Sequence, residues 1–474
     1  MINLNEKPIQ TEGTILMNII QQTMEIITKG YQENLEAALK GETSISNVVL
    51  SIEEKVLEIG KIMIRELLET LDEEIKESKA RKKDWNVERK DEKKTINTIL
   101  GEITYKKTYY VNKKTGSYSY LLDEQLGIRP HERMDDSLKA RLIENATQMS
   151  YQKAVNQESQ SGIISRMSVL NAIKSMKVIP NDAVEISDRK ETPKILYIEA
   201  DEDHVSIQSG AGKISKIVYV HEGIEKEGKT RNRLKNTRYF TDVKKNNEEL
   251  WVDTANYIDK RYDMEKVERV YLSGDGALWI KEGLNWIEKS KFVLDKFHLS
   301  KYIKIATAGK EYMVEPIRNH IQLGMKKEVI QLFNIIIEET ENENKRERIE
   351  KAKKYIINNW EGIQRQKEEG YVGCSAEGHV SHVLSDRLSS RPMGWSEEGM
   401  RCMSSMRVYS KNGGDFYDYI VKSKEKENKE TRIIELDKRI IKRASKEVGI
   451  QNVSFMNMGK RSGTQVLLKA ARGI

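Results

Sequence analysis

Two cysteines in 474 residues, Cys374 and Cys402, are too few to frame a disulfide scaffold and fit a reducing interior. No long hydrophobic run is present. The greasiest stretch, residues 329–337, is interrupted by Gln331 and Asn334 and falls far short of the roughly 20 apolar residues that cross a bilayer. Residues 1–20 lack the basic start and continuous apolar core of a secretory signal. These absences exclude a disulfide-stapled or membrane-spanning protein and lead to the expectation of a cytoplasmic one. Hydrophobic residues make up 38% and charged residues 33%, which describes a soluble chain rich in charged helix. Its length exceeds what one ordinary core organises, so several domains are expected.

The net charge of +7 is unevenly spread. Residues 1–80 hold 15 Asp/Glu against 8 Lys/Arg, a net of −7, so residues 81–474 carry +14. A basic body suits a polyanionic partner such as nucleic acid. An ordinary basic cytoplasmic protein fits the charge equally well.

Residues 14–80 place Ile15, Ile19, Ile26, Val56, Ile64, Leu68 and Leu71 at helical spacing, with Gly30 and Gly41 as breaks. Two or three helices serving packing or dimerisation are expected. Residues 79–94 read as a charged, solvated connector, completing an N-terminal helical region over 1–94. From residue 98 the pattern turns to strand, with 99–111 and 118–122 flanking a turn at 112–117 that contains Gly116. Tyr105, Lys106, Lys107, Tyr109 and Tyr110 alternate basic with aromatic character, as in a ribbon laid on DNA or a small solvated hairpin. Residues 135–157 are helical. Gly162 then offers a turn, Ser165 an N-cap, and Val169, Leu170 and Ile173 an inward face, the pattern of a helix-turn-helix or of a plain helical hairpin. A DNA-binding region over 95–180 follows from this, closed by a proline-marked linker from 180 to 193.

The stretch KILYIEADEDHV, residues 194–205, runs four apolar or aromatic residues into Glu199, Asp201, Glu202 and Asp203. A buried strand that ends in carboxylates is expected. Like charges this close repel and raise one another's pKa, so water or a cation must compensate. Further strands are expected at 213–220, 237–243, 266–273 and 291–295, with helices at 247–262 and 277–287. The order β-β-β-α-β-α-β is that of a ribonuclease-H-like domain, an α/β fold in which the fourth strand lies parallel beside the first. Asp201 and Asp275 then meet at the ends of adjacent strands, with Gly274 and Gly276 freeing the backbone around the second. Residues 297–372 read as an α-helical insertion. Beyond it, Glu377 opens a helix and supplies the third acid. The core therefore spans 194–296 and 373–395, and a basic region covers 396–474. Strand alternation puts Glu199, Asp201 and Asp203 on one face and Glu202 on the other, making Asp203 the fallback ligand.

YIEADEDHV, YLSGDGALWIK, LDKFHLSKYI and CSAEGHVSHVLSDRLSSRPMGWS resemble bacterial insertion-sequence transposases formerly catalogued as an uncharacterised protein family. These are distantly related to the Mutator-like DDE transposases. The resemblance covers most of the chain. It implies a catalytic triad of Asp201, Asp275 and Glu377 holding two Mg²⁺ or Mn²⁺ ions. It also implies in-line displacement at phosphorus, and an accessory pair, Asp295 and His298, matching the C/D-x-x-H element of those relatives. The implied partners are double-stranded DNA, as terminal inverted repeats and target, and a second copy of the chain, with localisation at the nucleoid.

Arg387, Arg391, Arg401 and Arg407 are candidates for phosphate contact, and Trp395 for base stacking or for a buried anchor. Cys374, His379, His382 and Cys402 make a weak zinc set. Tyr409 and Tyr417 lack the Arg-His-Arg company of a tyrosine recombinase. The principal alternative is a catalytically inactive, transposase-derived DNA-binding protein; a structure-specific nuclease on the same fold is a third possibility.

Overall fold

The computed structural model describes residues 12–158, 164–210, 212–228, 232–243, 246–391, 393–427 and 429. Two compact units divide the chain, Met1–Gly414 and Asp415–Ile474. Of the second, a helix over residues 416–427 is described, and the basic positions Arg439, Lys442, Lys460 and Arg461 lie outside the described residues. Among the described residues no helix is long and apolar enough to cross a membrane.

The first unit opens with two long helices, α1 (Glu12–Leu39) and α2 (Ile45–Glu77). Gly41 turns between them at φ +68°, and the Ser44 hydroxyl caps α2 by accepting from the Asn47 amide. Gly30 does not break α1. A Cβ there would lie 3.1 Å from Lys55 Cγ, so its missing side chain lets the helices approach. Both helices leave apolar residues exposed, among them Met24, Ile27 and Tyr31 on α1 and Val49, Ile52, Val56 and Met63 on α2.

The expected connector at 79–94 is ordered. A short helix α3 (Lys79–Asp84) leads into β1 (Trp85–Thr98), which pairs antiparallel with β2 (Gly101–Asn112) from Trp85↔Asn112 to Thr98↔Gly101. Charged residues on the solvent face hid the strand, while Trp85 and Val87 pack toward Ile75, Ile103 and Tyr110. A bulge around Arg89, with Asp91 at φ +58°, further blurs the alternation. The main hairpin therefore turns at residues 99–100, where the Thr98 hydroxyl accepts from the Leu100 amide. The turn at 112–117 also forms, held by Asn112 Oδ1, but returns only β3 (Tyr118–Ser119). Lys107 points inward rather than toward a ligand, with Nζ 2.5 Å from Asp123.

After α4 (Leu121–Leu126) come α5 (Asp136–Gln148), α6 (Tyr151–Gln157) and α7 (Arg166–Met176). Ser165 caps α7 at the Ser168 amide, and Val169 and Ile173 are buried. The turn expected at Gly162 lies outside the described residues. The segment that follows straps onto the sheet: Asn181 donates to the Thr241 carbonyl and accepts from its amide.

The central sheet is built from β4 (Ile195–Ser206), β5 (Gly212–His221), β8 (Arg238–Thr241), β9 (Arg269–Gly274) and β10 (Ser290–Leu294), in the order β10-β9-β4-β5-β8. A small ribbon, β6 (Ile224–Lys226) with β7 (Asn232–Leu234), interrupts the meander and had no clear sequence signal. β4 pairs antiparallel with β5 and parallel with β9, and β9 pairs parallel with β10. Helix α8 (Asn247–Arg261) crosses from β8 to β9, and α9 (Leu278–Lys281) continues as a 3-10 turn toward β10. The result is a mixed α/β architecture, a five-stranded sheet flanked by helices, that loosely resembles a ribonuclease-H-like core.

Helices α10 (Lys296–Ala306), α11 (Val314–Leu323), α12 (Lys326–Glu338), α13 (Glu343–Asn358) and α14 (Trp360–Gln364) fill residues 296–364. Their Ile317, Phe333, Ile336, Ile356 and Ile363 belong to the same apolar cluster as Leu196, Ile198 and Leu272 of the sheet. Burial is continuous from strand to outer helix, so this region completes the core. Last come α15 (Ala376–Val380), a π-helical turn at Ser381–Ser385, α16 (Asp386–Leu388) and α17 (Glu397–Lys411).

Candidate active site

Alternation along β4 sorts its side chains. Leu196, Ile198 and Ala200 enter the main cluster, while Tyr197, Glu199, Asp201 and Asp203 face the other way, all of them buried. Glu202 lies on the cluster side, where the Trp279 indole donates to it at 2.8 Å. The strand does not stop at the acids as expected. It runs five residues past Asp201 to Ser206, because β5 keeps pairing with it out to Ser206↔Gly212.

Pairing with β9 ends sooner, at Glu199↔Ser273. Every pair in that ladder is offset by 74 residues, from Ile195↔Arg269 onward. Continued two residues, the same register sets Asp201 level with Asp275, the first residue after β9. The two aspartates are neighbours because the strand register equals their separation in sequence. Gly274 allows the approach: a Cβ there would lie 2.7 Å from the Ala200 carbonyl and 2.8 Å from Ile280 Cδ1. Gly274→Ala is accordingly expected to push β9 off β4, destabilising the protein by about 1–3 kcal/mol and uncoupling the two acids. A melting curve, together with amide exchange over residues 195–201, would register both changes.

Burial pushes the Asp201 carboxyl up to about 6, and the like charges of Asp275 and Glu377 add to the effect; the Glu202 amide and His298 oppose it. Asp201 therefore lies in the field of Asp275, Glu377 and His298. Glu377 is exposed, one residue into α15. Asp295 caps α10 through the Phe297 amide, and its Oδ2 lies 3.1 Å from His298 Nδ1. That hydrogen bond raises the His298 pKa; burial opposes it, and the charges of Asp201, Asp295 and Asp275 reinforce it. Chemically the donor set is one of hard oxygens whose repulsion a divalent cation would relieve. In their present positions the side chains do not converge on one point: among the described residues no three His, Cys, Asp or Glu could hold an ion.

The remaining candidates are dispersed. Asp203 Oδ1 accepts from the Ser385 and Ser389 hydroxyls at 2.9 and 2.7 Å. Trp395 is the buried anchor, its indole donating to the Leu388 carbonyl with the Arg387 guanidinium over its ring, so it offers no free face to a base. Arg391 is exposed. Arg387 and Arg407 are buried and donate to backbone carbonyls, while Arg401 is part-buried and donates to the Val243 carbonyl. As placed, the two buried guanidiniums do not reach a phosphate. The zinc set does not gather either. Burial pushes up the thiol pKa of both Cys374 and Cys402, which disfavours the thiolate a metal needs, while His382 is exposed. Tyr409 is buried.

Sequence reasoning missed the residues that hold the loop at Asp275. The Tyr355 hydroxyl from α13 donates to the Asp275 carbonyl, and Lys281 Nζ lies 2.7 Å from Asn359 Oδ1. Asn359 also fills the space beside Gly276, which takes φ +87°. The sequence marked residues 297–372 as a helical insertion but gave no sign that polar residues on and just after α13 turn toward the sheet.

These features define a mixed α/β protein with carboxylates set side by side where two parallel strands diverge. The chain belongs to an uncharacterised protein family, UPF0236, whose model matches residues 38–449. Two relatives from Caldanaerobacter subterraneus subsp. tengcongensis, both described as UPF0236 proteins, are 42% identical over 468 residues, covering 97% of this chain and 98% of each relative. The name of one joins eleven designations and that of the other joins four. Among solved structures, the chain is similar to the Drosophila P element transposase strand transfer complex at 11% identity and a TM-score of 0.22, over 64% of this chain and 84% of that one. A likeness at that level carries no argument.

Proposed function

We propose that this protein is a DDE-type transposase that binds transposon ends and catalyses DNA strand cleavage and strand transfer. The observation that carries the reading is the 74-residue register, which sets a buried Asp201 beside Asp275 in a field shared with Glu377 and His298. A buried carboxylate held among like charges, with no side-chain donor to it among the described residues, is an arrangement that function explains better than packing. Asp201, Asp275 and Glu377 would hold Mg²⁺ or Mn²⁺, which when bound supplies positive charge at a phosphoryl group under displacement. The chain's own part is to fix the acids: α13 braces the Asp275 loop, and Asp295 orients His298 toward them. A relative whose name joins eleven designations from one organism fits an element that multiplies within its host.

The helix pair α6 and α7, with Ser165, Arg166 and Ser168 at the start of α7, would read the DNA as a helix-turn-helix, and the exposed apolar residues of α1 and α2 suit pairing with a second copy. One observation favours the alternative of a non-catalytic DNA-binding protein, namely that the acids do not converge in their present positions. A single assay separates the two. Purified protein is incubated with duplexes carrying the element's terminal inverted repeats or random sequence, with and without Mg²⁺ or Mn²⁺. Metal-dependent nicking confined to the repeats supports the transposase, nicking of both substrates indicates a general nuclease, and binding without nicking indicates the inactive binder.

A further inference from the structure

Four consecutive outward side chains of β4 divide into three that grip one segment and one that does not. The Tyr197 hydroxyl donates to the Gly370 carbonyl. Glu199 Oε2 accepts from the Ser375 amide at 2.6 Å and from its hydroxyl at 3.2 Å. Asp203 Oδ1 accepts from Ser385 and Ser389. Gly370, Ser375, Ser385 and Ser389 bracket Glu377. Among the described residues Asp201, between Glu199 and Asp203, makes no such contact and accepts only from the neighbouring Glu202 amide.

We propose that Glu199 and Asp203 are positioning residues, two carboxylates that clamp the Glu377-bearing segment to β4 on either side of Asp201 and so set the third acid against the first. The inference rests on the assignment of Asp201, Asp275 and Glu377 as the reactive acids. Glu199 suits the task because every group around it donates: the Tyr219 hydroxyl, His221 Nε2 at 3.0 Å, and the Ser375 amide and hydroxyl. A carboxylate accepts from all of them, whereas a glutamine, with one acceptor oxygen, turns its amide hydrogens toward a donor unless His221 shifts its proton to Nδ1, 3.2 Å from the Gly223 carbonyl. Asp203 differs. One oxygen takes both serines, and the other, Oδ2, is buried without a partner among the described residues. Asparagine can keep the occupied oxygen and exchange one unpaired group for another.

At Asp203 the contrast between the asparagine and alanine variants separates positioning from ligation, since an uncharged amide is a weaker ligand than a carboxylate for a hard divalent cation. The test uses the full chain, with Mn²⁺ alone as probe, read by electron paramagnetic resonance, and repeat-end cleavage followed as a function of Mn²⁺ concentration. Glu199→Gln is expected to weaken Mn²⁺ binding about 10–100-fold, as loss of an outer support typically does, with cleavage recovering at high Mn²⁺. Asp203→Asn is expected to stay within about threefold of the parent in Mn²⁺ affinity, whereas Asp203→Ala falls into the same range as Glu199→Gln. The double variant Ser385→Ala/Ser389→Ala keeps every carboxylate and should reproduce the Asp203→Ala loss, guarding against a variant that fails to fold. The proposal is overturned if Asp203→Asn abolishes binding as fully as Asp201→Asn does, or if Glu199→Gln and the double serine variant leave Mn²⁺ affinity unchanged. If Asp201→Asn itself leaves both Mn²⁺ binding and cleavage intact, the underlying assignment fails instead.

Discussion

Asp201→Asn is expected to abolish metal-dependent cleavage and strand transfer, a loss of about 10³-fold or more, while leaving DNA binding intact and making the folded protein more stable. Asparagine keeps the size of the side chain and the oxygen that accepts from the Glu202 amide, so the strand is undisturbed. It removes a buried negative charge that faces Asp275 and Glu377. Stability follows from proton linkage. The Asp201 carboxyl is shifted from 3.8 to about 6 on folding, so between those values the folded state binds more protons than the unfolded state. Stability of the parent therefore falls as pH rises through that window, and the penalty is complete above about pH 6. In metal-free buffer at neutral pH the variant should exceed the parent by about 1–3 kcal/mol, and the two should converge below about pH 4. Denaturant titrations at several pH values read the difference directly. A variant that loses stability at neutral pH would make Asp201 a structural residue, and wild-type strand transfer would remove it from the reaction.

Much of this site was legible in the sequence, for a reason visible in β4. A strand buried on its cluster face must write Leu196, Ile198 and Ala200 as apolar, so acids at Glu199, Asp201 and Asp203 stand out against that pattern. The short connections also limited the topologies, and a right-handed crossover put β9 beside β4. What could not be read was partnership. Glu199, Asp201 and Asp203 look alike in sequence; they differ because His221 from the paired strand and Ser375 and Ser385 from a segment far along the chain occupy two of them. The connector at 79–94 was misread for a related reason. Its outward residues are so heavily charged that the inward Trp85 and Val87 do not register as alternation, and the bulge near Arg89 shifts the phase. Basic residues misled most. Arg387, Arg407 and Lys107 signal nucleic acid by composition, yet each is buried and spent on partners within the fold.

Arg407→Lys is the largest structural effect to expect outside the acids. The Arg407 guanidinium, buried on α17, donates to three carbonyls, those of Thr147 at the end of α5 and of His382 and Val383 in the π-helical turn after Glu377. Arg387 makes a parallel link from α16 to the Ala146 carbonyl at 2.7 Å. Both arginines meet the C-terminal end of α5, where carbonyls lack helical partners and the helix dipole favours positive charge. Each unsatisfied buried carbonyl costs about 1–3 kcal/mol. A lysine donates from one nitrogen and lacks the planar fork whose three separate nitrogens meet these three carbonyls. Arg407→Lys should therefore destabilise by about 3 kcal/mol or more, and Arg407→Ala by at least as much. The loss should not be confined to stability. These arginines join α5 to the turn and helix that follow Glu377, so under the proposed function their removal frees the proposed DNA-binding segment from the proposed reactive acids. Binding to repeat ends should then survive in Arg407→Lys below its melting temperature while cleavage of the bound ends falls with it. Equal decline of binding and cleavage would mean that the arginine holds the fold together without coupling the two functions.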